Sequence, residues 1–462
     1  MSGRVGQVTP NAIAVRRAEL SDAGMELTDL TDTNPTHHGL FDPEILDVLA
    51  RHLPRSSRYE PSPGGPWPAR AALADRYGGD PDDYWLTAST SEAYGWLFCL
   101  LADAGDQVAI GSPGYPLIEP LAYQHDLTIS AYRTFYVHPS GWELDRASLE
   151  DCLDDPKVRA VVAVNPNNPT GSYTDVAVAE IAGNRGLPLI ADEVFFPFRL
   201  SGLVSAKTTN HQQGAHQFGH SLSAMVNDDE MPYRYPARQS QHPSPTMASG
   251  RSCDFEPDGA VVDDEGLDER IRCGQNEAGR LSGNDSRVTF GLDGLSKLLA
   301  APQLKLAWIR LSGPTIEKRR YAQGLDQIAD TYLSVANNVA LALPDLLNLA
   351  DGIVAAIIRR LEHNLATAQS VFSHLRVRTS YGGWMMLLDV PPIMEAESLC
   401  LALMERAGLY VHPGYFYDLP DCTLALSLLP QEADFQEMST RLAAGLAVLN
   451  SECTQGYGCQ PR

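Results

Sequence analysis

Apolar and polar positions change period along the chain, and the changes mark out its elements. "RAVVAV" (159–164) is an unbroken apolar run, the pattern of a strand buried on both faces of a parallel sheet. "YWLTAST" (84–90), "QVAIGSP" (107–113), "LPLIADEVFF" (187–196), "RVTFGLD" (287–293) and "LAWIRLSG" (306–313) read as further strands. Between them lie helical stretches: "SEAYGWLFCLLADAGD", ending near Gly105, and "YTDVAVAEIAGNRG", with Gly186 as its stop. Asp42, Pro43 and Glu44 open an earlier helix in "LFDPEILDVLARHL". A long helical region is expected over 314–375. After it, "GGWMMLLDVP", the helical "MEAESLCLALMERAG", a strand near "LALSLL" and the helical "EADFQEMSTRLAAGLAVLN" form a smaller α+β unit. The pattern predicts a large α/β sheet domain beside a smaller domain built from both chain ends.

One segment breaks the pattern. Residues 203–286 are rich in Ser, Gln, His, Asn, Asp and Gly and show no sustained apolar period. They are expected to form a disordered polar insertion that contributes little to the fold. His211, His216 and His220 match no standard metal spacing, so no metal site is assigned. The expected boundaries are an N-terminal arm and part of the small domain over 1–55, a large domain over 56–202 and 287–330, the insertion over 203–286, and a connecting helix with the small domain over 331–462.

Composition narrows the partners. The 462 residues are 44% hydrophobic, enough for two cores, and carry a net charge of -23 that would repel nucleic acid and anionic membranes. No stretch approaches the roughly 20 apolar residues of a membrane span, and the start lacks a signal-like apolar run. The eight cysteines are scattered without a CxxC, with Cys99 and Cys400 in apolar helical stretches, so core thiols and a cytoplasmic location are expected.

Three sites sit where strands end. Asn168 lies in "VNPNNPTG", Asp192 in "LIADEV" and Lys297 in "GLSKLLAAPQLKLAW". Open α/β sheets bind ligands at that edge. A lysine between apolar walls loses its proton easily and can form an imine with an aldehyde. A carboxylate suits a pyridinium nitrogen, and an asparagine amide suits a phenolate oxygen. Together they describe a site for pyridoxal 5'-phosphate.

On these motifs the chain resembles the class I/II aminotransferases, which are fold-type I pyridoxal-phosphate enzymes, over most of residues 25–450 apart from the insertion. The resemblance implies a large domain with a mostly parallel sheet flanked by helices, a smaller α+β domain, and a transfer of amino groups between an amino donor and a carbonyl acceptor. It implies that Lys297 holds the cofactor as an imine and then shuttles protons. Asp192 would pair with the ring nitrogen, Asn168 with the ring oxygen, and Tyr115 would stack on the ring. Thr90, Ser91, Ser296 and Lys305 would contact the phosphate, and Tyr59 would reach the phosphate of a neighbouring subunit in a homodimer. A lyase or decarboxylase of the same fold, or a non-catalytic relative that binds the cofactor, is the alternative.

Three departures stand out against that pattern. Phe195 stands where many relatives have a tyrosine that bonds the ring oxygen, and Lys305 stands for an arginine. Ala425 falls where an arginine that clamps the substrate α-carboxylate is expected, and no arginine occurs between Arg406 and Arg441. His412, Tyr415 and Tyr417 lie near this wall, and Arg16 and Arg17 lie in the N-terminal arm. Common α-amino acids are therefore expected to be poor donors.

Overall fold

The apolar runs assemble into one eight-stranded sheet in the computed structural model, which describes residue 4 and residues 10–201, 279–333, 335–420 and 422–454. In chain order the strands are β1 (Thr28–Asp29), β2 (Tyr84–Thr87), β3 (Gln107–Ser112), β4 (Thr128–Val137), β5 (Gly141–Leu144), β6 (Val158–Val164) and β7 (Leu189–Asp192). They continue as β8 (Thr289–Gly294), β9 (Ala307–Ser312), β10 (Arg376–Val377), β11 (Met385–Asp389), β12 (Leu409–Tyr410), β13 (His412–Pro413) and β14 (Thr423–Ser427).

The large sheet runs β2-β9-β8-β7-β6-β3-β4-β5. Strands β8, β7, β6, β3 and β4 pair in parallel, while β9 is antiparallel to both neighbours and β5 folds back on β4. Side chains alternate between the two faces. Val162, Ile190 and Phe290 pack under the helices Thr90–Leu101 and Thr315–Tyr332. Val161, Ala163, Leu189 and Ala191 pack under Arg146–Leu153 and Val176–Asn184. Each large apolar side chain so enclosed contributes about 1.5–3 kcal/mol. Burial on both faces explains why "RAVVAV" carries no polar alternation.

The register fixes the functional edge. Val164 pairs with Asp192, and Asp192 with Leu292, so β6, β7 and β8 end side by side. The loops that follow them start from one line. The smaller sheet, β10-β11-β14-β13, is wholly antiparallel. Strand β1 pairs with β12, joining the N-terminal arm to the C-terminal part of the chain.

Several expectations change. The helical region 314–375 is three helices, Thr315–Tyr332, Asn337–Leu347 and Ala350–Val371. Leu333, at φ 69°, ends the first of them, because a left-handed residue cannot continue a right-handed helix. The β4–β5 hairpin has no counterpart in the sequence reading, because its side chains are mostly half-exposed and lack an apolar run. Cys400 is a buried free thiol, but Cys99 is exposed. Cys453 is disulfide-bonded, which the scattered spacing does not predict.

The insertion boundary also moves. Leu281 and Ser282 are buried, so the packed chain resumes before residue 287. Residues 202–278, with His211, His216 and His220, lie outside the described residues. Among the described residues no single helix is long and apolar enough to cross a membrane.

Candidate active site

The asparagines of "VNPNNPTG" divide the work of the turn after β6. Asn165 donates its amide to the Gly279 carbonyl (3.0 Å) and accepts from the Thr174 N–H (3.1 Å). Asn167 closes the loop: its Oδ1 accepts from the Thr170 hydroxyl (2.9 Å), and its amide donates to the Pro113 carbonyl (3.2 Å). Gly171 has φ 65°, and a Cβ there would stand 1.9 Å from Ser380 Oγ, so only glycine lets the loop meet the 380–382 segment. Asn168 is left over. Its Oδ1 is buried with no hydrogen-bond partner, facing a narrow crevice shared with Phe195, Gly382 and Trp384.

Asp192 ends β7 and is buried. The Tyr94 hydroxyl donates to its Oδ2 (3.1 Å) and the Val194 N–H to its Oδ1 (3.3 Å). Both donors are neutral. Burial pushes the Asp192 carboxyl up to about 6, and the hydrogen bonds only partly oppose it. Lys297 sits in the one-turn helix Leu295–Leu298 directly after β8. Its Nζ lies 4.7 Å from the Trp384 ring centre and 5.3 Å from that of Phe195. These walls bring the Lys297 amine down to about 8, against the opposing pull of Asp192. At pH 7 roughly a tenth of such an amine is unprotonated, against well under a thousandth of an ordinary lysine.

These residues fit pyridoxal phosphate. Asp192 has no cation within ion-pair distance among the described residues, so its charge awaits a positive partner such as a protonated ring nitrogen. The Asn168 amide, whose oxygen has no partner in the crevice, is the group whose N–H would donate to a ring oxygen. When bound, the cofactor supplies an electrophilic carbonyl carbon and an electron-withdrawing ring.

The other expected residues fall as follows. Tyr115 is partly exposed, and its hydroxyl is raised by burial and by the Asp192 charge, which places it within electrostatic reach of that carboxylate. Thr90 and Ser91 occupy the first turn of the helix Thr90–Leu101, but its cap is Ser89, whose hydroxyl accepts from the Glu92 N–H (3.1 Å). The backbone N–H groups of that turn are the anion-binding feature. Ser296 lies beside Lys297 on the same helical turn. Lys305 is exposed, in the left-handed backbone region at φ 51°. Tyr59 is 70% exposed, remote in chain and burial from this centre.

Sequence reasoning missed Tyr94, Trp384 and Ser89. Only Ser89 had a readable signal, as a serine three residues before Glu92. Tyr94 and Trp384 read as ordinary core aromatics.

The face of the small sheet that holds Ala425 is apolar. Ala425 is fully buried, pairs with Leu387 and His412, and clusters with Met385, Tyr417 and Leu419. His412 Nδ1 and the Tyr417 hydroxyl are hydrogen-bonded at 3.0 Å, and burial brings the imidazole down to about 4, so it is neutral at physiological pH. The Tyr415 hydroxyl donates to Glu397 (3.2 Å). Arg16 is engaged by Glu19 and Glu405, and Arg17 by Asp29 and the Tyr410 ring. Arg378 is held by Asp389 (2.8 Å) and Thr423 (3.0 Å). A cavity of about 380 Å³ opens beside Tyr115 and Asn167, walled also by Tyr132, Trp142 and Tyr173.

The fold is one shared with solved aminotransferase structures. The described chain superposes on alanine aminotransferase from Pyrococcus furiosus with a TM-score of 0.72, at 17% identity, over 97% of this chain and 100% of that one. Residues 53–217 match the family of class I and II aminotransferases. Nicotianamine aminotransferase 1 of Oryza sativa subsp. japonica is 36% identical over 165 residues, covering 33% of this chain and 32% of that protein. Alanine aminotransferase of Mycobacterium bovis is 31% identical over 200 residues, covering 38% and 43%. The chain thus spans less than half the length of either of these curated relatives.

Proposed function

We propose that this protein is a pyridoxal-phosphate-dependent aminotransferase that moves an amino group between an amine or amino acid and a 2-oxo acid or other carbonyl acceptor. The observation that carries the reading is the pair at the strand edge: a buried amine with weakened proton affinity, Lys297, and a buried carboxylate with no ion-pair partner among the described residues, Asp192. Lys297 serves as nucleophile in its free-base form and moves protons afterwards. Asp192, kept ionised above pH 6, holds a protonated ring nitrogen, and the Tyr94 hydroxyl fixes the carboxylate's orientation. Trp384 and Phe195 keep water from the amine.

The apolar surround of Ala425 supports substrates gripped by something other than a sheet arginine, with their distal part in the cavity beside Tyr115. A homodimer, with the exposed Tyr59 reaching a second subunit, completes the reading. The relatives described above carry aminotransferase names, which favours transfer over lyase chemistry.

The test is transfer itself. With ¹⁵N-labelled amines and amino acids as donors and a panel of 2-oxo acids as acceptors, the reconstituted protein is expected to yield a ¹⁵N-labelled amino acid. Lys297→Ala is expected to yield none. Release of the donor's nitrogen as ammonia instead would favour the lyase alternative.

A further inference from the structure

Glu193, the residue after Asp192, is a second buried carboxylate that the reaction as read above leaves unused. It is fully enclosed, at 1% exposure. Its Oε1 accepts from the Leu281 N–H (2.7 Å) and the Asn165 amide (3.4 Å); its Oε2 accepts from the Ser282 hydroxyl and from Arg280 (3.2 Å). The other terminal nitrogen of Arg280 lies 3.6 Å from Oδ2 of Asp293, a third buried carboxylate at the end of β8. The Arg280 guanidinium is itself sandwiched between Phe196 (4.4 Å) and Tyr77 (5.2 Å).

Three carboxylates therefore meet at the ends of β7 and β8, and Arg280 bridges two of them. A buried carboxylate ionises only with a compensating partner. Glu193 takes its partner from Arg280, whereas Asp293, 3.6 Å from the same guanidinium, is compensated only in part, and burial holds its carboxyl up at about 7. Asp192 is the carboxylate turned to Tyr94 and the Lys297 side.

We propose that Arg280 is a positioning residue for the cofactor subsite: by compensating Glu193, with Asp293 sharing the same guanidinium, it lets Asp192 stay ionised and aimed at the ring nitrogen. The proposal rests on the functional reading above. It assigns a role to the segment 280–282, which the sequence pattern places in the polar insertion. Without Arg280, Glu193 loses its counter-charge and bears more strongly on its neighbour Asp192, which makes a proton on Asp192 easier to hold. A proton on Asp192 removes the charge that holds the cofactor. The titratable groups that bear on Asp192 are Glu193, Asp293, Lys297, Tyr94 and Tyr115. Of these, the two carboxylates are the ones Arg280 compensates.

The experiment titrates cofactor-free full-length protein with pyridoxal phosphate between pH 6 and 8.5, following absorbance and tryptophan fluorescence. Arg280→Met keeps an unbranched apolar stem and removes the charge. It is expected to weaken binding at pH 7 by about tenfold or more, with most of the loss recovered at pH 8.5 as Asp192 ionises. Adding Glu193→Gln to Arg280→Met is expected to restore binding at pH 7 to within about threefold of wild type, since the charge stranded next to Asp192 is gone and Asp293, at about 7, takes up a proton readily. An unchanged affinity in Arg280→Met overturns the proposal. So does a loss that neither pH nor Glu193→Gln relieves, which would mean that Arg280 acts through packing alone. Should Arg280→Met not fold, Glu193→Gln with Arg280 in place is expected to lower the pH midpoint of binding, and an unmoved midpoint overturns the proposal. A wild-type protein that takes up no cofactor at any pH refutes the functional reading itself.

Discussion

Replacing Asp192 with asparagine should move stability and cofactor affinity in opposite directions. The carboxylate is 7% exposed and receives only two neutral donors, Tyr94 and Val194. Burial lifts it from 3.8 to about 6. At about 1.4 kcal/mol per pH unit, that rise means the ionised group costs the cofactor-free fold about 3 kcal/mol at neutral pH. The asparagine side chain would carry no such cost and could still accept one of the two hydrogen bonds. The cofactor-free variant is therefore expected to be more stable than wild type at pH 7.5, by up to about 3 kcal/mol.

The sign of the pH dependence follows. A raised carboxyl carries its penalty above its folded value and sheds it as pH falls towards the unfolded one. The advantage of the variant should accordingly shrink by about half at pH 5. Cofactor binding goes the other way. Losing a charge-assisted hydrogen bond, worth roughly 1.5–3 kcal/mol, should weaken it about ten- to a hundredfold. The assays are urea unfolding of cofactor-free protein at pH 7.5 and 5, and cofactor titration at pH 7.5. A destabilised variant with unchanged cofactor affinity would refute the reasoning, because Asp192 would then be a structural carboxylate.

Two further substitutions probe the walls. Phe195 lies 5.3 Å from the Lys297 amine and lines the same crevice as Asn168, so Phe195→Tyr is expected to give a ring oxygen a new donor and lower the pH midpoint of the bound cofactor's absorbance band. An unmoved midpoint would mean that residue 195 does not face the ring. Ala425→Arg places a guanidinium among Met385, Leu387, Tyr417 and Leu419, and an uncompensated buried charge should cost about 3–5 kcal/mol in urea unfolding. Donors with an α-carboxylate should recover part of that loss and react faster, whereas unchanged stability and unchanged donor rates would show that this face does not front the site.

The centre of the fold, and the strand ends that carry Asn168, Asp192 and Lys297, were legible because a doubly covered parallel sheet writes them in plain patterns. "RAVVAV" has no polar position to obscure it, and Asn168, Asp192 and Lys297 each follow a readable strand end. What lay hidden depends on packing between distant segments. Tyr94 reaches Asp192 across 98 positions, and Arg280 reaches Glu193 across 87. Neither contact leaves a local period. The polar stretch 203–286 hid its own end, because Arg280, Leu281 and Ser282 look like the loop before them until Glu193 gives them partners.

The central claim, that Lys297 holds the cofactor, is tested most directly by trapping the bond. Protein loaded with pyridoxal phosphate is reduced with borohydride, digested and mapped by mass spectrometry. The account predicts a single phosphopyridoxyl-modified peptide, with the group on Lys297, and no specific labelling in Lys297→Ala. Stoichiometric modification at another lysine, with Lys297 unmodified, would contradict it.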